Sequence, residues 1–187
     1  MEEKQESQNS IFRIIVIDDN QEIHHDFEKI LTPVESSTHL QDLKSKVFGD
    51  ADIKKNFLPQ FHIDTATQGQ EGVEKIKEGL KEKKPYALAF VDIRMPPGWD
   101  GIETIKHIWK IDPNIQIVIC TAFSDYTWEE TVDELGTTDN LLVLKKPFDV
   151  IAVRQLAAAL TKKWYLMQEV KAHAASLEKN IEEKTMS

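Results

Sequence analysis

Cysteine is nearly absent from this sequence: Cys120 is the only one, so no disulfide can form within the chain. Cys120 ends the apolar run Ile115–Cys120, which predicts a small buried side chain rather than a reactive thiol. The first ten residues are acidic and polar, unlike a secretion signal, and we expect residues 1–10 to be disordered. These features favour a reducing compartment, and we predict a cytoplasmic protein.

Long apolar runs and an excess of basic residues are also missing. No run approaches the roughly 20 apolar residues of a transmembrane helix, so we predict neither a membrane span nor a membrane partner. The 23 Lys and Arg residues are outnumbered by 32 Asp and Glu, which gives a formal net charge of −9. Nucleic-acid binding needs clustered basic side chains that neutralise phosphates, so this balance argues against a nucleic-acid partner.

The 187 residues allow one domain of ordinary size with an appendage, and the pattern alternates strands with helices. Nearly continuous apolar runs predict buried parallel strands, and one weaker, alternating segment predicts a strand nearer the edge. These segments are Ile11–Ile17, Phe61–Thr65, Tyr86–Val91, Ile115–Cys120 and Leu141–Leu144. Amphipathic helical patterns lie between them, as parallel connections require. We therefore predict an α/β fold with a doubly wound, five-stranded parallel sheet.

One connection is much longer than the others. After a first helix over about Gln21–Leu31, Pro33 ends the helical pattern, and about 28 residues pass before the second strand. We assign residues 33–60 to an insertion. The spacing of Leu40, Leu43 and Val47 predicts a short helix within it.

The C-terminal segment contains neither proline nor glycine. From Asp149, a residue suited to cap a helix, nothing interrupts a helical pattern before Ser187. Apolar residues keep a 3-4 spacing along it: Val153, Leu156, Leu160, Met167, Val170, Ala174, Leu177 and Ile181. At 1.5 Å per residue this extended helix would span about 50 Å, so only its first half can cover the sheet. We assign residues 11–160 to the domain and 161–187 to a helical coiled-coil linker that pairs in a weak homodimer.

Polar residues with complementary chemistry follow the predicted strands, which end at Asp18-Asp19, Asp92, Thr121 and Lys146. The carboxyl ends of parallel strands meet at one edge of a doubly wound sheet, where ligands bind. Three carboxylates gathered there would repel one another unless a cation joined them, and such oxygen ligands suit Mg²⁺. A hydroxyl and a lysine at this edge could bind phosphoryl oxygens. Any one of these acidic residues alone would be read as a turn former or helix cap, but the ordered set favours a functional site.

The segments VIDDN, FVDIRMPPGWDG, VICTAF and LKKPF resemble the signature segments of response-regulator receiver domains of two-component systems. The resemblance covers about Ile11 to Leu160. It implies a flavodoxin-like sheet of order 2-1-3-4-5 with five helices. It also implies a regulatory domain, not an enzyme, that accepts a phosphoryl group from a phosphohistidine on a partner histidine kinase or phosphotransfer protein.

The same resemblance implies a role for each residue at the strand ends. Asp92 is expected to be the phospho-acceptor, and Thr121 and Lys146 are expected to bind the phosphoryl oxygens. The expected ligands of Mg²⁺ are the carboxylates of Asp18, Asp19 and Asp92 and the backbone carbonyl of Arg94. The peptide bond between Lys146 and Pro147 is expected to be cis.

The segments MPPGWDG and SDYTWEE resemble, more narrowly, receivers attached to histidine kinases or diguanylate cyclases, so we expect an output domain that this chain does not include. The chain departs from the family pattern in its insertion and in the loop from Asp92 to Gly101, which is one residue longer than usual. It also has Val143 where an aromatic residue is common.

Two other functions compete with this interpretation. A phosphatase of the dehalogenase superfamily would carry its aspartyl nucleophile in a D-x-D motif after the first strand, whereas this chain has Asp18-Asp19-Asn20 there. A phosphorylation-independent interaction module with the same fold usually lacks an acidic residue or the lysine, and this chain has both. His24 and His25 are predicted to be surface histidines, because neighbours do not share a helix face and no kinase motif surrounds them.

Overall fold

The computed structural model describes residues 11–32, 59–122 and 128–186. Its strands are β1 (Ile11–Ile17), β2 (Gln60–Ala66), β3 (Leu88–Asp92), β4 (Gln116–Thr121) and β5 (Leu141–Lys145). Its helices are α1 (Gln21–Leu31), α2 (Gly69–Lys81), α3 (Gly101–Ile111), α4 (Trp128–Leu135) and α5 (Val150–Thr185). The strands form one parallel sheet of order β2-β1-β3-β4-β5, which confirms the predicted fold class and strand order.

Successive residues of the central strands point to opposite faces of the sheet and build two cores. In β1, Ile15 and Ile17 join the core under α2 and α3, while Ile14 and Val16 join the core under α1 and α5. Because both faces are covered by helices, the central strands read as continuous apolar runs. β2 pairs with β1 alone, which confirms its predicted position at an edge of the sheet.

The long helix α5 begins where the sequence predicts. The Asp149 carboxylate accepts hydrogen bonds from the backbone N–H groups of Ile151 and Ala152, at 2.7 and 3.1 Å. The first half of α5 packs on the sheet, where Val153 is fully buried. The second half leaves the domain, and Val170 is 62% exposed. At about 1.5 Å per residue, its 36 residues extend about 54 Å.

Polar and aromatic contacts hold the middle of α5 against the domain. Phe12 of β1 makes edge-on ring contacts with Trp164 and Tyr165, at centroid distances of 6.4 and 6.1 Å. Lys163, the polar residue within the predicted apolar stripe, donates to the backbone carbonyl of Asp139. These contacts therefore tie the middle of α5 to the domain.

Two expectations lie outside the described residues: the disordered N-terminus and the short helix of the insertion. Gln60, the last residue assigned to that insertion, is the first residue of β2 and pairs with Ile11. None of the described helices is both long enough and apolar enough to span a membrane.

Candidate functional site

The carboxyl ends of β1, β3 and β5 bring an ammonium group between two carboxylates. The Nζ atom of Lys146 lies 2.9 Å from Oδ1 of Asp92 and 3.0 Å from Oδ2 of Asp18. Asp19 completes the group, and one carboxylate oxygen from each of Asp18, Asp19 and Asp92 lies within 4.8 Å of the others. We call these three residues the carboxylate cluster. The sequence-predicted residues therefore meet at the expected edge of the sheet.

Backbone hydrogen bonds continue past the strand ends and hold this edge rigid. The N–H of Asp18 donates to the carbonyl of Ala66 at 3.0 Å, and the N–H of Lys146 donates to the carbonyl of Thr121 at 2.9 Å. The peptide bond between Lys146 and Pro147 is cis, as predicted. The functional side chains thus project from a hydrogen-bonded scaffold and not from free loops.

Burial and crowding set the protonation of the site. Asp92 is only 7% exposed, and burial raises the pKa of its carboxyl; Asp18 and Asp19 raise it further, while the Lys146 ammonium partly offsets them. Burial alone would lower the pKa of Lys146, but its hydrogen bonds to Asp92 and Asp18 outweigh burial and raise it. Burial is thus the main cause of the raised pKa of Asp92, whereas the carboxylate partners cause the raised pKa of Lys146.

The donor set fits a hard divalent cation. Three ionised carboxylates and one ammonium carry a formal charge of −2, which a divalent cation would balance. All three side-chain donors are oxygens, the type that Mg²⁺ prefers. Asp18 and Asp92 are buried, whereas Asp19 is exposed and leaves the cluster open to solvent.

Two further predicted residues lie at the same edge. Thr121 is buried at the end of β4, and its hydroxyl donates to the carbonyl of Ala122 at 3.0 Å. Arg94 is exposed two residues after Asp92. The role of its carbonyl as a metal ligand stays a prediction. Burial raises the pKa of the Cys120 thiol, beneath the site, in keeping with its predicted role as a buried apolar side chain.

The long loop after Asp92 closes tightly on the backbone of that residue. A Cβ atom on Gly101 would lie 2.4 Å from the carbonyl oxygen of Asp92, so only glycine permits this approach. The side-chain amide of Gln68 spans the loop: its Oε1 accepts from the N–H of Gly98 at 3.2 Å, and its Nε2 donates to the carbonyl of Pro96 at 3.4 Å. Gln68 stands at the N-cap of α2 but makes no capping bond with its side chain, which is directed to the loop instead.

Trp99, in the same loop, stacks on the ring of His107 in α3. The ring centroids are 3.9 Å apart and the planes are within 2° of parallel. Trp99 also packs against the core under α2 and α3. This contact anchors the outer part of the loop to the domain.

One residue at this edge was misjudged from the sequence. His24 is buried, and its Nε2 lies 2.7 Å from the backbone carbonyl of Asp18, so its predicted surface position is wrong. Adjacent His25 does lie on the surface. The helical spacing could have predicted this burial, because His24, Phe27 and Leu31 follow the i, i+3, i+7 spacing of the buried face of α1.

Part of the chain matches a known protein family. Residues 52–161, more than half of the chain, match the family model described as the response regulator receiver domain. That range begins after β1 and α1 and so leaves out Asp18 and Asp19, which the structure brings within reach of Asp92.

Two curated proteins illustrate the similarity. The chemotaxis protein CheY of Thermotoga maritima is 40% identical over 83 residues, which are 44% of this chain and 62% of that protein. Sporulation initiation phosphotransferase F of Bacillus subtilis is 33% identical over 87 residues, which are 46% of this chain and 65% of that protein. The chain thus spans less than two thirds of the length of these relatives.

Solved structures share the architecture. An adenylate cyclase structure from Rhodopirellula baltica aligns with a TM-score of 0.63 and 20% identity, over 89% of this chain and 98% of that chain. A response regulator receiver protein from Sinorhizobium medicae aligns with a TM-score of 0.55 and 21% identity, over 83% and 98%. At such identities these likenesses show the fold alone.

Proposed function

This chain belongs to the response regulator receiver domain family of two-component signalling, and from that premise we propose that it accepts a phosphoryl group on Asp92. It acts as a regulatory phospho-acceptor and not as an enzyme with a separate substrate. The observation that carries the proposal is the Lys146 ammonium held between Asp92 and Asp18 at the open edge of the sheet.

The transfer is a displacement at phosphorus. A carboxylate oxygen of Asp92 forms a bond to the phosphorus of a phosphohistidine as the N–P bond breaks, which gives an acyl phosphate and a free histidine. Asp18, Asp19, Asp92 and the carbonyl of Arg94 would hold Mg²⁺, whose positive charge would offset that of the incoming anion.

Two side chains bind the transferred group. The Lys146 ammonium, whose pKa its carboxylate partners raise, pairs with a phosphoryl oxygen. The Thr121 hydroxyl turns from the carbonyl of Ala122 to donate to another phosphoryl oxygen. Loss of the Thr121–Ala122 bond then couples phosphorylation to the backbone after β4.

The donor is a phosphohistidine on a histidine kinase or phosphotransfer protein that docks beside this edge. A groove of about 700 Å³ lies between α1 and the start of α5, and Lys146 lines it. Ile23 and Ile30 of α1, with Phe148 and Val150, give the groove an apolar wall. A helix of the donor protein seated there would bring its phosphohistidine to the ammonium that faces Asp92.

The signal leaves through α5. Its distal half exposes an apolar stripe in which Val170, Leu177 and Ile181 are more than 60% exposed. Such a stripe has no partner within the described part of the domain, and pairing with a second copy as a parallel coiled coil would bury it. The paired helices would pass a change in register to an output domain.

Phosphorylation of Asp92 is tested with phosphoramidate, a small molecule that carries the same N–P bond. The full chain should gain the mass of one phosphoryl group with Mg²⁺ and none with EDTA, and Asp92→Asn should remove the gain. Asp112→Asn is the matched control, because Asp112 is equally buried but precedes β4 and so lies away from the carboxyl edge. Labelling that persists in Asp92→Asn, or labelling of the wild type without metal, would contradict the proposal.

The experiment also separates the competing functions. A phosphatase would release phosphate catalytically from many substrates, and a phosphorylation-independent module would not gain the mass at all. The chain also has Asp18-Asp19-Asn20 after β1, where a phosphatase of the dehalogenase superfamily requires a D-x-D motif.

The helix pairing is tested by sedimentation of the full chain. We expect a weak dimer, of roughly micromolar dissociation constant, because the stripe is only about two heptads long. Val170→Glu should abolish the dimer, and Ala172→Glu, two positions further on and therefore off the stripe, should leave it unchanged. A dimer that survives Val170→Glu would place the interface elsewhere.

A further inference from the structure

We propose that His24 is a positioning residue for the metal-binding segment: it holds the peptide that joins Asp18 to Asp19 without touching the metal or the phosphoryl group. The inference rests on the proposed function, because it concerns how two of the proposed Mg²⁺ ligands are oriented.

The contact of His24 is short, buried and directional. Its Nε2 lies 2.7 Å from the carbonyl oxygen of Asp18, and the side chain is 6% exposed. A carbonyl oxygen only accepts hydrogen bonds, so Nε2 must carry the hydrogen and donate it. Helical side chains lean toward the N-terminus of their helix, which lets a residue in the first turn of α1 reach back to the segment before it.

The bonded carbonyl belongs to the peptide unit that both ligands share. The peptide group is planar, so fixing the carbonyl of Asp18 also fixes the N–H and the Cα atom of Asp19. Besides the Lys146 ammonium on its Oδ2, two backbone hydrogen bonds hold Asp18. Its N–H donates to the carbonyl of Ala66 at 3.0 Å, and its Oδ1 accepts from the N–H of Asn20 at 2.9 Å. Asp19 is exposed, so the orientation of its backbone depends on these bonds to its neighbour.

Packing alone would not select histidine at this position. The other buried residues on this face of α1 are Phe27 and Leu31, both apolar. An apolar side chain at residue 24 would cover the same surface but leave a buried carbonyl without its donor. The chemistry of the residue is therefore matched to the carbonyl between the two ligands.

The test separates the donor from the packing. His24→Leu keeps an apolar face and removes the donor, and His24→Gln keeps an N–H donor at a similar reach. His25→Leu is the matched control, because its side chain is 69% exposed and pairs with Glu28. Mg²⁺ affinity of the full, unphosphorylated chain is measured by calorimetric titration, and unfolding by denaturant is followed in EDTA.

We expect His24→Leu to weaken Mg²⁺ binding about tenfold, the usual range for residues that orient metal ligands. His24→Gln should stay close to the wild type, and His25→Leu should equal it. Should His24→Leu fail to fold, His24→Asn takes its place, because its shorter amide cannot reach the carbonyl.

Two results would overturn the inference: Mg²⁺ affinity unchanged by His24→Leu, or His24→Gln as weak as His24→Leu. A wild-type chain that does not bind Mg²⁺ at all contradicts the metal site of the proposed function, and this inference with it. The wild-type titration therefore distinguishes the two failures.

Discussion

The two ends of strand β1 each carry a cluster in which carboxylates contact a cation, and the two clusters differ in their charge balance. Near its amino end, Arg13 lies 2.9 Å from Oδ2 of Asp64, and the Tyr86 hydroxyl donates to the same oxygen at 2.7 Å. The guanidinium also donates to the carbonyl of Lys84 and lies 4.2 Å from the centre of the Tyr86 ring. We call Arg13, Asp64 and Tyr86 the amino-end cluster. At the carboxyl end of β1, the described residues place one ammonium within hydrogen-bonding distance of the carboxylate cluster, that of Lys146.

The two clusters shift carboxyl pKa values in opposite directions. Burial would raise the pKa of Asp64, but the hydrogen bonds from Tyr86 and Arg13 outweigh it, and the pKa is lowered. The pKa of Asp92 is raised, because burial and two like charges outweigh one ammonium. In the amino-end cluster the donors satisfy one carboxylate. At the other end three carboxylates share one cation.

This contrast separates stabilisation from function within one strand. The folded state favours ionised Asp64, so the amino-end cluster adds to the stability of the fold at neutral pH. The folded state disfavours ionised Asp92, so the carboxylate cluster subtracts from that stability until a cation offsets its charge. Sites that bind charged ligands often carry such a cost.

The largest expected effect on stability comes from breaking the amino-end cluster. Arg13→Met keeps the packing of the side-chain stem but leaves Asp64 half-buried without its cation, and removes the donor to Lys84. We expect the free energy of unfolding to fall by about 2 kcal/mol at neutral pH, measured by denaturant unfolding. Lys77→Met, which breaks an exposed pair with Glu74, is the control and should have no measurable effect. If both variants lower the free energy of unfolding equally, the amino-end cluster does not stabilise the fold more than an exposed ion pair does.

At the carboxyl end of β1, removal of a charged side chain is expected to increase stability. In EDTA, Asp92→Asn should raise the free energy of unfolding, because it removes one of three crowded carboxylates; solvent at the open edge limits the gain to about 1 kcal/mol. Added Mg²⁺ should stabilise the wild type and so narrow the difference in the free energy of unfolding between it and Asp92→Asn. A variant that unfolds more easily than the wild type in EDTA would show that the Lys146 pairing outweighs the repulsion.

Much of the fold could be predicted from local patterns. Each central strand is buried on both faces, so its apolar run marks it directly, and Asn20, Asp100 and Asp149 cap α1, α3 and α5 through their side chains. The strand ends of the site were predictable for the same reason. In a parallel sheet all carboxyl ends meet at one edge, so Asp18, Asp92 and Lys146 had to approach one another.

Contacts that depend on register or on side-chain direction were not predicted. The amino-end cluster joins residues 13, 64 and 86, which come together only because β1 pairs with β2 and β3 in one particular register. The Gln68 amide that spans the loop at Gly98 joins two loops, and no periodicity marks either side chain. His24 could have been placed inward from the helical spacing of Phe27 and Leu31, but its carbonyl partner could not have been named without coordinates.

The smallest expected effect tests the sign of the Asp64 shift. A carboxyl whose pKa is lowered by folding contributes stability that is complete above its unfolded pKa, near 3.8, and lost as pH falls through the lower folded value. At pH 7, Asp64→Asn should therefore lower the free energy of unfolding relative to the wild type. The part of this loss that depends on pH should be about 0.5 kcal/mol, because solvent at the edge strand screens the pair. His62 Nε2 lies 3.3 Å from Oδ1 of Asp64, so both proteins carry His62→Gln to remove this second partner. Unfolding by denaturant at pH 7, 5 and 3 should then show the same difference between the two proteins at pH 7 and 5 and a smaller one at pH 3. The matched comparison is Asp92→Asn in EDTA, whose advantage should shrink as the pH falls through the raised pKa of Asp92, at a higher pH than the loss at Asp64. If the difference in the free energy of unfolding at Asp64 grows toward acid pH, folding raises the pKa of Asp64 instead of lowering it. The carboxyl groups at both ends of β1 would then be shifted in the same direction.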